Sequence, residues 1–368
     1  MKSAITAIGT AVPPHRQSQQ AAAEIVANAL ELKPAEKRLL KSVYRSTRID
    51  YRYSVMSDFI RQPGEYEFFP NDPGLPFPST GSRMKVYRQH ALTLALAAIN
   101  KCLAGRQDIV AADITHVITV SCTGMYAPGL DIEITQHLNL GSNVKRTAVN
   151  FMGCYGAFNA IKLADAICKA EPDARVLVVS VELCTIHFQK NDSMDSMISN
   201  AIFADGAAAV LIETGSRQTK SFLLEGFHCD LLPQHAEAMA WQIADSGFDI
   251  VLSSYVPQAI QSGIAEFTRR LLHACHLAFN DITLYAIHPG GYKILKACEE
   301  ALSISEADNR YSYHVLRNYG NMSSATVLFV LHEIWNDISH EQANEKIFSC
   351  AFGPGLTLES MILKVGHS

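Results

Sequence analysis

The sequence predicts a layered α/β fold made of two related halves, and three observations carry that prediction. Segments patterned as strands alternate with segments patterned as helices, the arrangement that buries sheets between helical layers. Two strand-type runs, ARVLVVSVEL at 174–183 and GAAAVLIE at 206–213, are almost continuously apolar, as strands covered on both faces are. Landmarks also recur. DITHVITVSCTG from Asp113 and DITLYAIHPGG from Asp281 each follow a helical stretch and end in a glycine turn, and each half then reaches a second glycine turn, around Cys154 and around Asn321. A chain of 368 residues is long enough for two such halves, placed at 1–213 and 214–368.

In chain order, MKSAITAIGTAVPPH opens with a short apolar run stopped by Pro13 and Pro14, shorter than a signal-peptide core. Arg38, Lys41 and Arg45 stand at i, i+3 and i+7 and share one stripe of a helix. Arg61–Arg83 is rich in Pro and Gly and reads as a long loop. Helical spacing over Gln89–Leu103 leads into the strand from Asp113. Thr147–Phe151 is β-branched and aromatic, and Ala157, Ile161, Ala164 and Cys168 recur at helical spacing beyond it, so Cys154 sits at a strand-to-helix turn. In the second half a helix over Gln258–Leu277 leads into the strand from Asp281, which runs up to His288.

Composition sets limits on function. Hydrophobic residues make up 48% of the chain and charged residues 18%, ample for a globular core. A formal net charge of −5 argues against a nucleic-acid or anionic-membrane surface. Nine cysteines, without CxxC pairs, indicate neither a disulfide framework nor a zinc ribbon, and point to a reducing compartment, the cytoplasm. No run approaches the ~18 uninterrupted apolar residues of a membrane span. The pair His273 and His276 in HACH lacks a further ligand set and reads as a helix surface, so no metal site is expected.

The chemistry concentrates in three residues. Glycines flank Cys154 where the chain turns into a helix, and a helix N-terminus eases loss of a thiol proton. If the two halves face each other across a shared interface, His288 and Asn321 join Cys154 there. An imidazolium would hold the cysteine as thiolate, the natural nucleophile toward a thioester. His and Asn N–H groups aimed at one point would form an oxyanion hole for a thioester enolate. The reaction implied is acyl transfer with decarboxylative Claisen condensation, needing neither metal nor redox cofactor.

At these residues the chain resembles the type III polyketide synthases, the chalcone synthase superfamily within the thiolase fold. The resemblance runs nearly end to end: the cysteine turn at 151–156, FADGAAAV at 203–210, IHPGG at 287–291, YGNMSSATVLF at 319–329 and FGPGLTLE at 352–359. It implies a five-layered αβαβα homodimer that takes an acyl-CoA starter and malonyl-CoA. Cys154 would carry the acyl group, and His288 with Asn321 would form the decarboxylation and oxyanion pair. Phe203 would be the gatekeeper between CoA tunnel and cavity, and Arg38, Lys41 and Arg45 would hold the CoA phosphates.

Departures from the plant pattern bear on substrate. Ile250 stands where the family has a second phenylalanine, and Ala127 where one subunit lends a methionine to the other's cavity. Cys122, Cys184 and His187 stand where threonines line the wall, and a satisfied core histidine is the other reading of His187. Smaller residues at 127 and 250 imply a roomier or differently directed cavity and a fatty acyl starter. Two rivals stand against this reading: an initiating ketoacyl-carrier-protein synthase, which carries a His-Gln-Ala-Asn string where this chain has HPGG, and a catalytically inactive thiolase-like scaffold.

Overall fold

A computed structural model describes residues 2–72, 74–191, 193–215 and 220–366. The first half supplies strands β1 (Ser3–Ala11), β2 (His15–Ser18), β3 (Tyr51–Ser54), β4 (His116–Ser121), β5 (Lys145–Asn150), β6 (Arg175–Leu183) and β7 (Asp205–Thr214). The second supplies β8 (Ser221–Leu231), β9 (Met239–Ala244), β10 (Gly247–Leu252), β11 (Ile282–Ile287), β12 (Lys346–Gly353) and β13 (Thr357–Gly366). The helices are α1 (Gln19–Ala29), α2 (Pro34–Ser46), α3 (Thr80–Ala104), α4 (Leu130–His137), α5 (Gly156–Ala170), α6 (Met194–Ile202), α7 (Val256–Ala274), α8 (Tyr292–Leu302), α9 (Arg310–Tyr319) and α10 (Thr326–Asp337).

The internal echo reappears as strand pairing. In one half β4 and β6 run parallel, β6 and β7 antiparallel, and β7 and β1 antiparallel. In the other, β11 and β12 run parallel, β12 and β13 antiparallel, and β13 and β8 antiparallel. A short β1–β8 contact at Ala4 with Leu223 and Ile5 with Phe222 joins them into one sheet of order β11-β12-β13-β8-β1-β7-β6-β4-β5.

Three apolar cores show how the layers stack. In β6, Val176 and Val178 face a central core that holds α5 and α10, while Leu177, Val179 and Val181 face an outer core with α1 and α3. In the second half, Ile347 and Met361 face the same central core, and Phe348 and Ile362 face an outer core with α7 and α8. Period-2 alternation with both faces apolar is why these strands read as continuous hydrophobic runs. With the two halves of that sheet as separate layers, the order is helices, half-sheet, helices, half-sheet, helices, the αβαβα arrangement of a thiolase-like fold. At the edge, the side chains of β5 are mostly exposed.

Some boundaries differ from expectation. The long loop ends at Ser79, not Arg83, because the Ser79 hydroxyl caps α3 by accepting from Ser82 N. Arg83, inside that helix, is fully buried and donates to the carbonyls of Ile186 and Phe188. Helix α7 stops at Ala274, so Cys275 and His276 lie in its terminal turn, with His276 at φ 55. Among the described residues no cluster of three metal-ligating side chains occurs.

Candidate active site

The cysteine turn is built by sterics. After β5 the chain passes through Phe151 at φ 62 and Gly153 at φ +77, a region that suits glycine. A Cβ on Gly153 would lie 2.2 Å from Pro354 Cδ, so this glycine also admits the FGPG segment of the other half. One turn of tight helix, Gly153–Tyr155, carries Cys154 into α5. His288 follows β11 directly, its N–H bonded to Cys350 O at 2.8 Å, which extends the β11–β12 ladder by one residue. Asn321 follows α9, with its N–H on Ile202 O and its carbonyl accepting from Ala204 N, both at 2.8 Å.

These placements bring Cys154, His288 and Asn321 onto the wall of one cavity of about 250 Å³, which the HPGG and FGPG turns also line. Asn321 is oriented by its own amide. Its Oδ1 accepts from Ser323 N at 2.9 Å, and its Nδ2 donates to Gly290 O at 3.2 Å, leaving a second N–H. Neither ring nitrogen of His288 has a partner among the described residues, although the ring is buried. A buried imidazole with both nitrogens unpaired is set to exchange a proton with whatever enters.

The electrostatics act on each group of the expected pair. Burial pushes the Cys154 thiol up to about 12; hydrogen bonds with Ser323 and Asn321 pull it back only in part, and the Glu182 carboxylate adds to the rise. Burial also pulls His288 down to about 3. Taken singly, each shift favours the neutral form of its group, through burial of the ring and of the partly exposed thiol.

The other wall residues divide. Phe203, Ile250, Cys122 and Cys184 line the cavity, and Phe203, Ile250 and Cys184 also line a smaller side pocket behind it. His187 lines only the side pocket. Its Nδ1 accepts from Phe248 N at 3.0 Å, its Nε2 bonds Thr123 O at 2.7 Å, and burial holds it down to about 3, so it is a neutral structural histidine. Ala127 is exposed and does not line this chain's cavity. On α2, Arg38 and Arg45 are exposed and Lys41 pairs with Glu24 at 2.5 Å, while Val43, Ser46 and Thr47 of the same region line the cavity.

Sequence reading missed two residues. Trp241 on β9 lines both cavity and side pocket and donates from Nε1 to Cys122 O at 2.8 Å. Glu182, a carboxylate inside the apolar strand β6, is fully buried and accepts from Cys122 N at 3.0 Å, from the Thr123 hydroxyl at 2.8 Å and from the Ser324 hydroxyl. A lone acid in a run of valines was the available signal.

Comparison with known proteins agrees across the whole chain. Residues 1–216 match the N-terminal domain model of chalcone and stilbene synthases, and residues 225–366 match its C-terminal domain model. An alpha-pyrone synthesis polyketide synthase-like protein, Pks18 of Mycobacterium tuberculosis, is 31% identical over 365 residues, covering 98% of this chain and 91% of its own. A 1,3,6,8-tetrahydroxynaphthalene synthase of Streptomyces peucetius is 27% identical, covering 98% of this chain and 93% of its own. Among solved structures, the C-terminal type III polyketide synthase domain of Steely1 from Dictyostelium superimposes with a TM-score of 0.90 at 28% identity, over 99% of both chains. PKS-I of the brown alga Ectocarpus siliculosus gives 0.90 at 29% identity, over 99% of this chain and 98% of its own.

Proposed function

The chain belongs to the chalcone and stilbene synthase family, the type III polyketide synthases, and from that premise we propose that it loads a fatty acyl starter from CoA onto Cys154 and extends it with malonyl-CoA. The observation that carries this reading is the convergence of Cys154, His288 and Asn321 on one largely apolar cavity.

The chemistry follows from those groups. Cys154 sulfur attacks the starter thioester while its proton passes to the neutral His288 imidazole, and the CoA thiolate leaves and recovers that proton. Malonyl-CoA then loses carbon dioxide, and the resulting enolate oxygen is held by N–H groups of His288 and Asn321. The enolate carbon attacks the acyl-Cys154 carbonyl and expels the cysteine sulfur, giving a CoA ester longer by two carbons. CoA thioesters are the substrates, and the steps call for no metal or redox cofactor.

Phe203 and Ile250 stand at the boundary of cavity and side pocket, which supports a path for a long acyl chain. Arg38, Lys41 and Arg45 flank the cavity-lining part of α2, which supports their holding the CoA phosphates. Two relatives named for α-pyrone and tetrahydroxynaphthalene synthesis support closure to a pyrone, resorcinol or phloroglucinol-type product. Strand β5, exposed at the end of the sheet, supports pairing with a second copy in a homodimer. Nine free cysteines support a reducing, cytoplasmic setting, and no described helix is long and apolar enough to cross a membrane.

Mass spectrometry of products from purified protein, malonyl-CoA and a panel of acyl-CoA starters from acetyl to stearoyl tests the reading. Chain-extended pyrones or resorcinols from long starters are expected. Turnover only with carrier-protein substrates would overturn it.

A further inference from the structure

The cavity that holds Cys154 has one charged side chain among the described residues that line it, Lys293. The rest of the wall is apolar, small or neutral, since burial holds His288 down to about 3. Lys293 is exposed whereas His288 is 1% exposed, so the lysine stands on the rim and the imidazole inside. Gly290 and Gly291 lie between them in the chain and line the cavity too. A Cβ built on Gly291 would meet nothing within 4 Å, and one on Gly290 would reach no atom closer than His288 Cδ2 at 3.6 Å. The two glycines thus leave bare backbone along which a slender group can lie between rim and interior.

Nothing in the fold uses the charge of Lys293. Three residues on, Lys296 pairs with Glu299 at 2.8 Å and Glu306 at 3.2 Å, but Lys293 has no ion pair or hydrogen bond among the described residues. Its place also disfavours it, because the first turn of α8 is the positive end of the helix dipole and suits anions, yet no acidic residue stands there. A cation at the wrong end of a helix, on the rim of an otherwise uncharged cavity, is placed for an anion that arrives from outside. The rim is firm at this point. Arg48, just past α2, lies over the Tyr292 ring at 4.1 Å, and Thr47 and Tyr292 both line the cavity. The start of α8 is thereby held against the end of the helix that bears Arg38, Lys41 and Arg45.

We propose that Lys293 binds a phosphate group of the CoA thioester and so sets affinity for starter and extender alike. The phosphates are the anions common to every such substrate, and they lie at the far end of the pantetheine arm from the thioester. With the thioester at Cys154 and the arm along the two glycines, that end stays at the rim. The malonyl carboxylate, the other anion that enters, sits beside the thioester and belongs inside, with His288 and Asn321. The proposal rests on the polyketide synthase reading for the identity of the ligand, and adds to it a residue of α8, outside the basic stripe of α2.

The test is calorimetry on the full chain with CoA and with pantetheine, which has the same arm and thiol but no phosphate. Lys293→Met should weaken CoA binding roughly fivefold and leave pantetheine binding unchanged. Lys293→Arg should keep wild-type affinity, and Lys293→Glu should lose more than Lys293→Met, with both losses shrinking as salt is added. The thermal unfolding midpoint of Lys293→Met should equal or exceed that of wild type, since the helix dipole gains from the change. In turnover, KM for acyl-CoA and malonyl-CoA should rise together at constant kcat. Equal CoA binding by Lys293→Met and wild type overturns the assignment, as does a defect confined to malonyl-CoA, which would give the lysine to the malonyl carboxylate. Wild-type protein that binds no CoA at all would strike the polyketide reading together with this one, so the two failures are told apart.

Discussion

Phe203 and Asn321 are joined backbone to backbone by an isolated parallel β-bridge, with Asn321 N on Ile202 O and Ala204 N on Asn321 O at 2.8 Å each. The cavity's aromatic boundary and the proposed oxyanion donor therefore share one rigid support across the two halves. Because the tie runs through the main chain, either side chain can be changed without moving the other. Asn321→Ala should slow malonyl-CoA decarboxylation ~100-fold or more, about 3 kcal/mol, while slowing acyl loading far less. Asn321→Asp keeps the Oδ1 acceptor for Ser323 N but loses the amide donor, and should be as defective. Phe203→Leu should spare decarboxylation and alter starter range. Equal loss of both half-reactions in Asn321→Asp would remove it from the oxyanion role.

Cys154 offers a pH test. With the thiol pushed up to about 12, the thiolate fraction rises with pH throughout the accessible range. Alkylation by iodoacetamide should therefore climb about tenfold per pH unit from pH 7 to 9 without levelling. A plateau reached by pH 7 would show that His288 holds a preformed ion pair. In the same protein, Cys154→Ala should abolish chain extension and leave some carbon dioxide release from malonyl-CoA.

The sequence carried the fold and the turns that bear Cys154, His288 and Asn321 because those signals are local. A glycine beside Cys154, HPGG after an apolar strand and YGN before an apolar helix are each legible within a few residues. Trp241 and Glu182 were not, since their contacts with Cys122 span long stretches of chain and no local pattern announces them. His187 stays open in the sequence between cavity wall and satisfied core histidine, because a residue on the turn after β6 has two ways to face; the Phe248 N–H and the Thr123 carbonyl draw its ring behind the wall.

That buried ring has a cost in acid. His187 is held down to about 3, whereas an unfolded histidine titrates near 6.5, so below pH ~6.5 the unfolded chain binds a proton that the folded one does not. Stability from this group is present above that pH and is lost at about 1.4 kcal/mol per unit as pH falls toward 3. Asp205, raised to about 6 by burial, acts in the opposite sense over part of the window, so the comparison must be between variants. His187→Gln should lessen the loss of urea stability between pH 6.5 and 5 relative to wild type. Identical slopes would mean that His187 is not buried neutral.

The basic stripe on α2 makes unequal predictions for its members. Lys41 is already paired with Glu24, while Arg38 and Arg45 are exposed. Neutralising Arg38 or Arg45 should raise KM severalfold for every CoA ester alike, since the phosphates are common to all, and added salt should mask the effect. Lys41→Gln should do less, and Glu24→Gln should lower KM slightly by releasing Lys41. A change in product pattern with KM unaltered would return the stripe to an ordinary solvated face.

The proposed preference for a fatty starter turns on where the acyl chain goes. Ile250 lines both cavity and side pocket, so on the proposed path a side chain enlarged there should meet the distal carbons of a long starter. Each buried CH₂ contributes ~0.8 kcal/mol, roughly fourfold in kcat/KM, so specificity should climb with chain length until the path ends. Ile250→Phe should flatten that climb, cutting kcat/KM for decanoyl-CoA far more than for acetyl-CoA. Ala127→Met is the control for assembly. Ala127 is exposed on a single copy, so a methionine there can shorten the path only if a second copy presents it to this cavity. A length-dependent loss in both variants, with a dimer by light scattering, would place residues 127 and 250 on one shared path. Wild-type protein that turns over acetyl-CoA or coumaroyl-CoA much faster than decanoyl-CoA would sink the fatty preference, while leaving the condensation chemistry proposed for Cys154 intact.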